Sequence, residues 1–280
     1  MNELELKAAQ ILIELALTED IGEGDITTDN IIPAETQRNA KMVAKADGII
    51  AGLPIAEMVF KSLDPKLRWK VLASEGSKVQ KGDVLVEFEG TYRALLTGER
   101  TALNFLQRLS GIATMSGKYA DAVKEFKTII LDTRKTLPGF RMLDKYAVKT
   151  GGAGNHRIGL FDMAMIKDNH IEVAGGITNA VNAVRSKIKE GIKIEVETTT
   201  LAQVQEAIDA GADIIMLDNM DNETMQKSVE LIAGRAKVEA SGNMTLERLR
   251  EVAATGVDYI SIGALTHSVS ALDISQRIED

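Results

Sequence analysis

The stretch "KIEVETTTLAQVQEAIDAGADIIMLDNM", residues 193–220, contains one complete unit of strand, helix and strand. Its apolar runs KIEVET and DIIMLD have the length and composition of strands. Between them, Thr200 is a typical helix-capping residue and Gly211 a typical residue at a helix end. Because both strand runs are nearly continuously apolar, we expect them to be covered on both faces, as in a parallel sheet.

The same unit recurs through the second half of the chain. Further strand-like runs occur at TIILDT, MAMIKD, AKVEAS and DYISIG, and a second helix is predicted from Thr245 to Gly256. Repeated units of a buried parallel strand and a helix form either a closed barrel or a doubly wound sheet. We favour a barrel, with six strands evident and a further one expected near NHRIG.

The first part of the chain has a different pattern. In residues 38–90, short strand-like runs alternate with glycines, which predicts a small, mostly antiparallel α+β unit. Before it, the N-terminal residues predict an amphipathic helix whose apolar face carries Ile11, Leu12 and Leu15.

Composition excludes several classes of protein. Among 280 residues there are 33 Lys+Arg and 41 Asp+Glu, a formal net charge of −8, which leaves no general basic face for nucleic acid. The absence of cysteine excludes disulfides and thiolate sites and fits a reducing cytoplasm. No apolar run approaches the roughly 20 residues that span a bilayer. We therefore expect a cytoplasmic protein without nucleic-acid or membrane partners.

Polar residues follow each predicted barrel strand, where the loops of an α/β barrel meet at one mouth. The first two strand ends and the loop between them supply cations or imidazole: Arg134, Lys135, His156, Arg157 and Lys167. The next two strands end in the carboxylates Glu197 and Asp218. The last two are followed by small and backbone-permissive residues: Ser241, Gly242, Asn243, Gly263 and Ala264.

This set predicts a pocket for a polyanionic ligand. Arginine and lysine suit phosphate and carboxylate oxygens, and glycine-containing loops after the last strands form the usual phosphate site of a barrel. Carboxylates opposite phosphates commonly bind a bridging Mg²⁺. Glu195 and Glu197 share one strand face, and we choose Glu197 because it lies at the strand end.

Other polar residues in this region carry weaker predictions. We interpret three cations on the predicted helix FRMLDKYAVKT as surface charge: Arg141, Lys145 and Lys149. His267 is expected to be structural, and a role for His170 stays open.

Six motifs occur in order along the second half: DTRKTLPGFRMLDKYAV, GGAGNHRIGLFDMAMIKDNH, EVET, IIMLDNM, EASGNM and ISIGALTHS. With LTEDIGEGDITTD and GERTALNFLQRLSGIAT, they make nearly the whole chain resemble the quinolinate phosphoribosyltransferase family, also called nicotinate-nucleotide pyrophosphorylase (carboxylating). The resemblance implies an α/β protein: an α+β open-faced sandwich at 1–110 and an incomplete α/β barrel of the type II phosphoribosyltransferase kind at 111–268. The tail, 269–280, would pack back on the N-terminal domain.

The resemblance also implies an activity. Members transfer the phosphoribosyl group of 5-phosphoribosyl-1-pyrophosphate (PRPP) to quinolinate and decarboxylate it, with Mg²⁺ as cofactor. The products are nicotinate mononucleotide, pyrophosphate and CO₂, in the de novo synthesis of NAD.

By family position, the residues divide into groups. Quinolinate and pyrophosphate would be surrounded by Arg134, Lys135, His156, Arg157 and Lys167. Glu197 and Asp218 would hold ribose hydroxyls and Mg²⁺, and the 5-phosphate would be cradled by Ser241, Gly242, Asn243, Gly263 and Ala264. Thr133 and Ile262 complete the substrate-binding set, within which we expect the catalytic residues Lys135, Lys167, Glu197 and Asp218. Arg100 would reach the neighbouring active site of a homodimer.

Three alternative functions are kept. The first is a nicotinate phosphoribosyltransferase or a molybdate-transport-associated paralogue of the same superfamily. The second is a barrel aldolase that forms a Schiff base through Lys167. The third is a non-enzymatic module that binds an acidic macromolecule through the cations.

Overall fold

The computed structural model describes residues 1–279 and divides into two compact units. The first unit comprises Met1–Gly117, Thr136–Gly152 and the chain from Leu265 onward. The second comprises Lys118–Lys135 and Ala153–Ala264. The domain boundaries expected after residues 110 and 268 stay predictions.

Helices and strands account for most of both units. The helices are α1 Glu3–Ile21, α2 Thr28–Ile31, α3 Leu53–Leu63, α4 Tyr92–Val123, α5 Arg141–Thr150, α6 Asp168–Ala174, α7 Ile177–Arg185, α8 Leu201–Asp209, α9 Asn222–Ile232, α10 Leu249–Ala254 and α11 Ala264–His267. The strands are β1 Gln37–Ala44, β2 Gly48–Ile49, β3 Arg68–Val71, β4 Lys78–Val79, β5 Val84–Thr91, β6 Ile129–Leu131, β7 Ala164–Ile166, β8 Ile194–Thr198, β9 Ile214–Asp218, β10 Lys237–Ser241, β11 Tyr259–Ser261 and β12 Ile274–Glu279.

The first unit is built on an antiparallel sheet with strand order β12-β1-β5-β3. Three aromatic rings form part of its core: Phe60 of α3 lies 5.0 Å from Phe88, which lies 4.9 Å from Trp69, between ring centroids. Such pairs stabilise a core beyond the area that they bury. The predicted α+β unit is confirmed, and β12 brings the C-terminal segment alongside β1.

The N-terminal helix is confirmed, and two residues of its apolar face are exposed. Asn2 and Glu5 form a capping box at its start. Ile11 and Leu15 are 58% and 63% exposed, whereas Ala9 and Ile13 are buried. The helix therefore packs through the adjacent stripe, which the apolar periodicity of the sequence did not distinguish.

Helix α5 corrects another prediction. Lys145, interpreted from the sequence as surface charge, is buried, and so is its neighbour Asp144. Arg108 donates bidentate hydrogen bonds to the Asp144 carboxylate at 2.9–3.1 Å. The Asp144 side chain is buried together with this guanidinium because a buried carboxylate needs a paired cation.

The second unit is a parallel sheet with strand order β6-β11-β10-β9-β8-β7, so all six predicted barrel strands are confirmed. Among the described residues, the edge strands β6 and β7 do not pair with each other, which makes the barrel incomplete. The further strand expected near NHRIG is reduced to one parallel bridge between Leu131 and Gly154.

Of the two barrel helices predicted from capping residues, the first starts where expected and the second starts later. The Thr200 side chain caps α8 by accepting a hydrogen bond from the Gln203 N–H, and Gly211 follows the helix with φ 74°. The second helix begins at Leu249 instead of the predicted Thr245, because a turn occupies the intervening residues.

Replacing Asp144 by Asn should lower the free energy of unfolding by about 3 kcal/mol, because the Arg108 guanidinium would then lose its buried counter-charge. Urea denaturation of the purified protein measures this. The matched control is Glu125→Gln, which breaks an ion pair with Arg250 whose side chains are both about 60% exposed. This control should leave stability unchanged. Equal effects of the two substitutions would contradict the structural role of Asp144.

Candidate active site

A cavity of about 330 Å³ opens at the carboxyl ends of the barrel strands. Side chains from β7 to β11 line it together with the segments that follow β6 and precede β7. The lining residues are Thr133, Arg134, Lys135, His156, Arg157, Met165, Lys167, Glu197, Met216, Asp218, Glu239, Ser241 and Ser261. All lie within the second unit.

Nine of the residues singled out from the sequence line this cavity: Thr133, Arg134, Lys135, His156, Arg157, Lys167, Glu197, Asp218 and Ser241. Gly242 and Asn243 directly follow Ser241, and Ile262, Gly263 and Ala264 directly follow Ser261. Arg100 belongs to the first unit, where it lines a different cavity with Asp20, Asp25 and Thr97.

The segment after β6 brings two adjacent cations to the same cavity. A regular strand would point Arg134 and Lys135 to opposite sides. The chain instead bends at Arg134, and the Thr133 hydroxyl accepts a hydrogen bond from the Lys135 N–H at 3.1 Å. Both side chains therefore line the cavity.

The segment around His156 is held beside β6 by Asp132, a buried residue directly after that strand. One Asp132 oxygen accepts the His156 N–H at 2.8 Å, and the other accepts a side-chain hydrogen bond from Asn155 at 2.9 Å. Gly154 allows this close approach, since a Cβ there would lie 2.8 Å from a Leu131 methyl group. This fixes the backbone that carries His156 and Arg157.

The His156 ring contacts two buried carboxylates from different strands. Its Nε2 lies 3.1 Å from Oε2 of Glu195 on β8 and 3.4 Å from Oε2 of Glu239 on β10. The glutamate side chains are at most 1% exposed. The Nδ1 atom accepts the Arg157 N–H at 2.7 Å. Both ring nitrogens of His156 are therefore engaged within the protein.

This cluster retains a proton at neutral pH. Burial alone lowers the pKa of His156, but hydrogen bonding to Glu195 and Glu239 and their charges outweigh burial and raise it to about 10. Burial also raises the pKa of Glu195. The additional proton is therefore shared between the His156 ring and the two carboxylates that contact it. Three buried groups thus carry one net negative charge.

The cations near the cavity are crowded. Arg157 donates to the Met163 carbonyl at 3.1 Å, which aims its guanidinium along the cavity wall. Burial and the charge of Arg134 lower the pKa of Arg157. Like charges held this close repel each other, so a bound polyanion would be favoured strongly here.

Lys167 forms an ion pair with an acid of the neighbouring strand. Its Nζ lies 2.9 Å from Oε2 of Glu197 across the ends of β7 and β8. The Lys167 N–H is accepted at 2.9 Å by Nδ1 of His170, which thereby caps α6. In this structure, His170 therefore holds the backbone of Lys167 through this hydrogen bond.

Two sets of side chains have the chemistry of metal ligands. Glu197 and Asp218 end neighbouring strands and line one cavity, and carboxylate oxygens are preferred by Mg²⁺. His156, Glu195 and Glu239 also offer ligand atoms within 4.8 Å of one another. The second set already shares a proton and lies near Arg157, so its charge is balanced without a metal.

Some cavity residues were missed from the sequence: Met165, Met216, Glu239 and Ser261. The signal for Glu239 was present, because an acid within the apolar run AKVEAS repeats the pattern of Glu195 in KIEVET. Nothing in the sequence indicated that one histidine would contact both acids. The two methionines give the cavity apolar walls between its charged groups.

Comparison with known proteins adds an independent finding. The family models for the N-terminal and C-terminal domains of quinolinate phosphoribosyl transferase match residues 25–110 and 112–277.

Individual relatives agree with these models along nearly the whole chain. A probable nicotinate-nucleotide pyrophosphorylase [carboxylating] of Synechocystis is 48% identical over 265 residues, covering 94% of this chain and 90% of the relative. The chloroplastic nicotinate-nucleotide pyrophosphorylase [carboxylating] of rice is 47% identical over 287 residues, covering 96% and 77%. The solved structure of the nicotinate-nucleotide pyrophosphorylase from Francisella tularensis aligns with a TM-score of 0.94 at 40% identity, covering 98% of this chain and 96% of that one.

Substituting Glu239 by Gln should destabilise the protein by about 2 kcal/mol at pH 6.5, since a charged hydrogen-bond partner of His156 is lost. A folded-state pKa raised from 6.5 to about 10 stabilises the fold fully below pH 6.5, and this contribution is lost as pH rises through 10. The stability difference between wild type and variant should therefore shrink from pH 7 to pH 10. Urea denaturation across this range tests it, and a difference independent of pH would contradict the shared proton.

Proposed function

Because the chain belongs to the quinolinate phosphoribosyltransferase family, we infer that it transfers the phosphoribosyl group of PRPP to quinolinate. The acceptor is decarboxylated, which gives nicotinate mononucleotide, pyrophosphate and CO₂. One observation in the barrel supports this activity above all others. Four cationic side chains share one cavity with the carboxylates Glu197 and Asp218: Arg134, Lys135, Arg157 and Lys167.

The charges of the substrates match this arrangement. Quinolinate carries two adjacent carboxylates, and PRPP carries a pyrophosphate at C1 and a phosphate at C5. A cluster of guanidinium and ammonium groups binds such oxygens, and the fork of Arg134 or Arg157 suits a carboxylate in particular. We assign quinolinate and the departing pyrophosphate to the cation cluster, with Thr133 contributing at its edge.

His156 supports this assignment indirectly. Its nitrogens face Glu195, Glu239 and the Arg157 N–H. Its ring and backbone therefore shape the cavity floor beneath the pyridine and set the direction of Arg157. Contact with the substrate would come through the part of the ring that lines the cavity.

The opposite part of the proposed site binds the sugar. Asp218 and Glu197 accept hydrogen bonds from ribose hydroxyls, and Ser241, Gly242 and Asn243 surround the 5-phosphate with Ile262, Gly263 and Ala264. The backbone of Gly242 has φ 91°, a left-handed conformation that glycine adopts without strain. Loops of this kind direct backbone N–H groups towards phosphate oxygens.

Catalysis in this proposal is positioning and electrostatics. As the bond from C1 to pyrophosphate breaks, C1 gains oxocarbenium character, and Lys135 and Lys167 stabilise the departing negative charge. The pyridine nitrogen attacks C1 and becomes a pyridinium. Its positive charge accepts the electron pair left when the C2 carboxylate departs as CO₂, and a proton then replaces that group. No covalent nucleophile is required.

Mg²⁺ fits the carboxylates of this site. When bound, it would neutralise charge on the pyrophosphate oxygens. Glu197 and Asp218 are the residues that would hold it, directly or through water. Lys167, which pairs with Glu197, would keep its ammonium beside the pyrophosphate.

A homodimer completes the proposal. Arg100 is exposed in the first unit and matches the arginine that, in the family, reaches a neighbouring subunit. Apolar residues with exposed side chains on α1, such as Ile11 and Leu15, supply surface for self-association. We assign Arg100 to the carboxylates of quinolinate bound in the partner subunit.

The alternative functions receive less support. A nicotinate phosphoribosyltransferase has one carboxylate fewer to bind, which leaves the cation cluster in excess. A Schiff-base lysine needs its neutral form, whereas the ion pair with Glu197 stabilises the ammonium of Lys167. A surface-binding module needs an outward-facing basic patch, whereas these cations line a cavity that also contains acids.

A cytoplasmic location stays a proposal, supported by the lack of cysteine. Over the described residues, no helix is both long and apolar enough to cross a membrane.

Replacing Lys135 or Lys167 by Ala should lower kcat/KM by two to three orders of magnitude, about 3–4 kcal/mol of transition-state stabilisation. The assay measures nicotinate mononucleotide and CO₂ formed from quinolinate, PRPP and Mg²⁺. Lys187→Ala is the matched control, because Lys187 is exposed and lies outside the cavity. If the wild-type protein used nicotinate and did not use quinolinate, the proposed substrate would be overturned.

Mixing two inactive variants tests the partner role of Arg100. Arg100→Ala and Lys167→Ala each remove one residue of every site in a homodimer. After subunit exchange, each mixed dimer regains one intact site. Half of the dimers are mixed, so activity should recover to about one quarter of wild type. If activity did not recover although subunit exchange was verified, Arg100 would lie outside the partner subunit's site.

A further inference from the structure

Two asparagines at the mouth of the barrel have left-handed backbones. Asn219 directly follows β9 with φ 53°, and Asn243 lies two residues beyond β10 with φ 50°. Among the described residues other than glycine, only Ala233, at the end of α9, shares this conformation. Asparagine tolerates it better than most residues, but it still costs free energy. Two such residues in adjacent loops are therefore maintained by specific contacts.

The Asn219 side chain supplies those contacts. Its Nδ2 donates to Oδ2 of Asp218 at 2.7 Å, and its Oδ1 accepts a hydrogen bond from Nδ2 of Asn243 at 3.2 Å. Its backbone N–H donates to the Ser241 carbonyl at 3.0 Å. One residue thus joins the carboxylate at the end of β9 to the loop that follows β10.

Gly242 is shaped to receive the Asn219 amide. A Cβ at Gly242 would lie 2.2 Å from Oδ1 of Asn219, a distance that no side chain could occupy. Nearby, Arg248 donates to the Met220 carbonyl at 2.8 Å, which ties the two loops together again. The absence of a side chain at Gly242 and the position of the Asn219 amide therefore depend on each other.

We propose that Asn219 is a positioning residue that orients the Asp218 carboxylate and couples it to the Ser241–Asn243 loop. By engaging Oδ2, it leaves Oδ1 of Asp218 for the ligand and restricts rotation of the carboxylate. The inference rests on the proposed function, in which Asp218 binds the ribose of PRPP and the loop binds its 5-phosphate. One hydrogen-bonded unit then recognises both parts of the donor, and quinolinate is bound elsewhere.

Asn219→Gly is the informative substitution, because glycine accepts φ 53° and only the amide is lost. Binding of PRPP with Mg²⁺, measured by calorimetry, should weaken about tenfold or more, the size expected for a hydrogen bond to a charged group. The KM for PRPP should rise in parallel, while the Kd of quinolinate stays within about twofold. Ala233→Gly is the matched control, since it also introduces glycine at a left-handed position but lies outside the cavity.

A double-mutant cycle with Asn243→Gly tests the coupling. If Asn243 acts partly through Asn219, the loss of PRPP binding free energy in the double variant should be smaller than the sum of the losses in the two single variants. Asn219→Asp keeps the side-chain size but replaces the donor to Asp218 with a carboxylate, and it should weaken PRPP binding at least as much as glycine. If Asn219→Gly proves unstable, this variant provides the same measurement.

Two failures can be told apart. If the wild-type protein forms no nicotinate mononucleotide from quinolinate and PRPP, the proposed function fails. If the wild type is active but Asn219→Gly and Asn219→Asp bind PRPP like Ala233→Gly, the positioning role of Asn219 is overturned. Additive effects of Asn219→Gly and Asn243→Gly would overturn the coupling between the loops.

Discussion

The contact of His156 with two buried glutamates is the interaction on which the barrel cavity depends. Glu195 and Glu239 come from different strands, and each would be costly to bury without a partner. The ring that satisfies them comes from the segment between the open edges β6 and β7. Because Asp132 anchors this segment directly after β6, His156 ties the segment to the inner strands β8 and β10. Arg157 follows directly in the chain, so its position is inherited from this cluster.

The cavity must also be stable before its ligands arrive. A site for two anionic substrates needs many cations, yet cations without counter-charges repel one another. The protein solves this locally, by pairing Lys167 with Glu197 and by placing the negatively charged His156 cluster beneath Arg157. In the proposed function, the ion pair between Lys167 and Glu197 is the contact that substrate oxygens would replace. Net charge is therefore no guide to such a site, because the balance is set within a few ångströms.

Much of the fold and part of the cavity could be predicted from the sequence. The buried strands were evident because a parallel strand is apolar on both faces, and the residues after them converge because parallel strands end at one edge. The pattern failed where tertiary contacts decide. The apolar stripe of α1 did not show which side packs, and Lys145 appeared to be a surface residue although it is buried. Glu239 was missed because burial of an acid depends on a partner that lies 83 residues away in the chain.

The register of the central strands explains why the cavity has two levels. Met216 of β9 pairs with Glu197 on one side and Glu239 on the other, which forms a deeper level. Asp218 pairs with Ser241 two residues nearer the mouth, and there β9 and β10 end. Beyond that point strand pairing no longer fixes the side chains, and the left-handed residues Asn219 and Asn243 change the direction of the two loops. Precision in the deeper level comes from strand pairing, whereas at the mouth it must come from side-chain hydrogen bonds between loops.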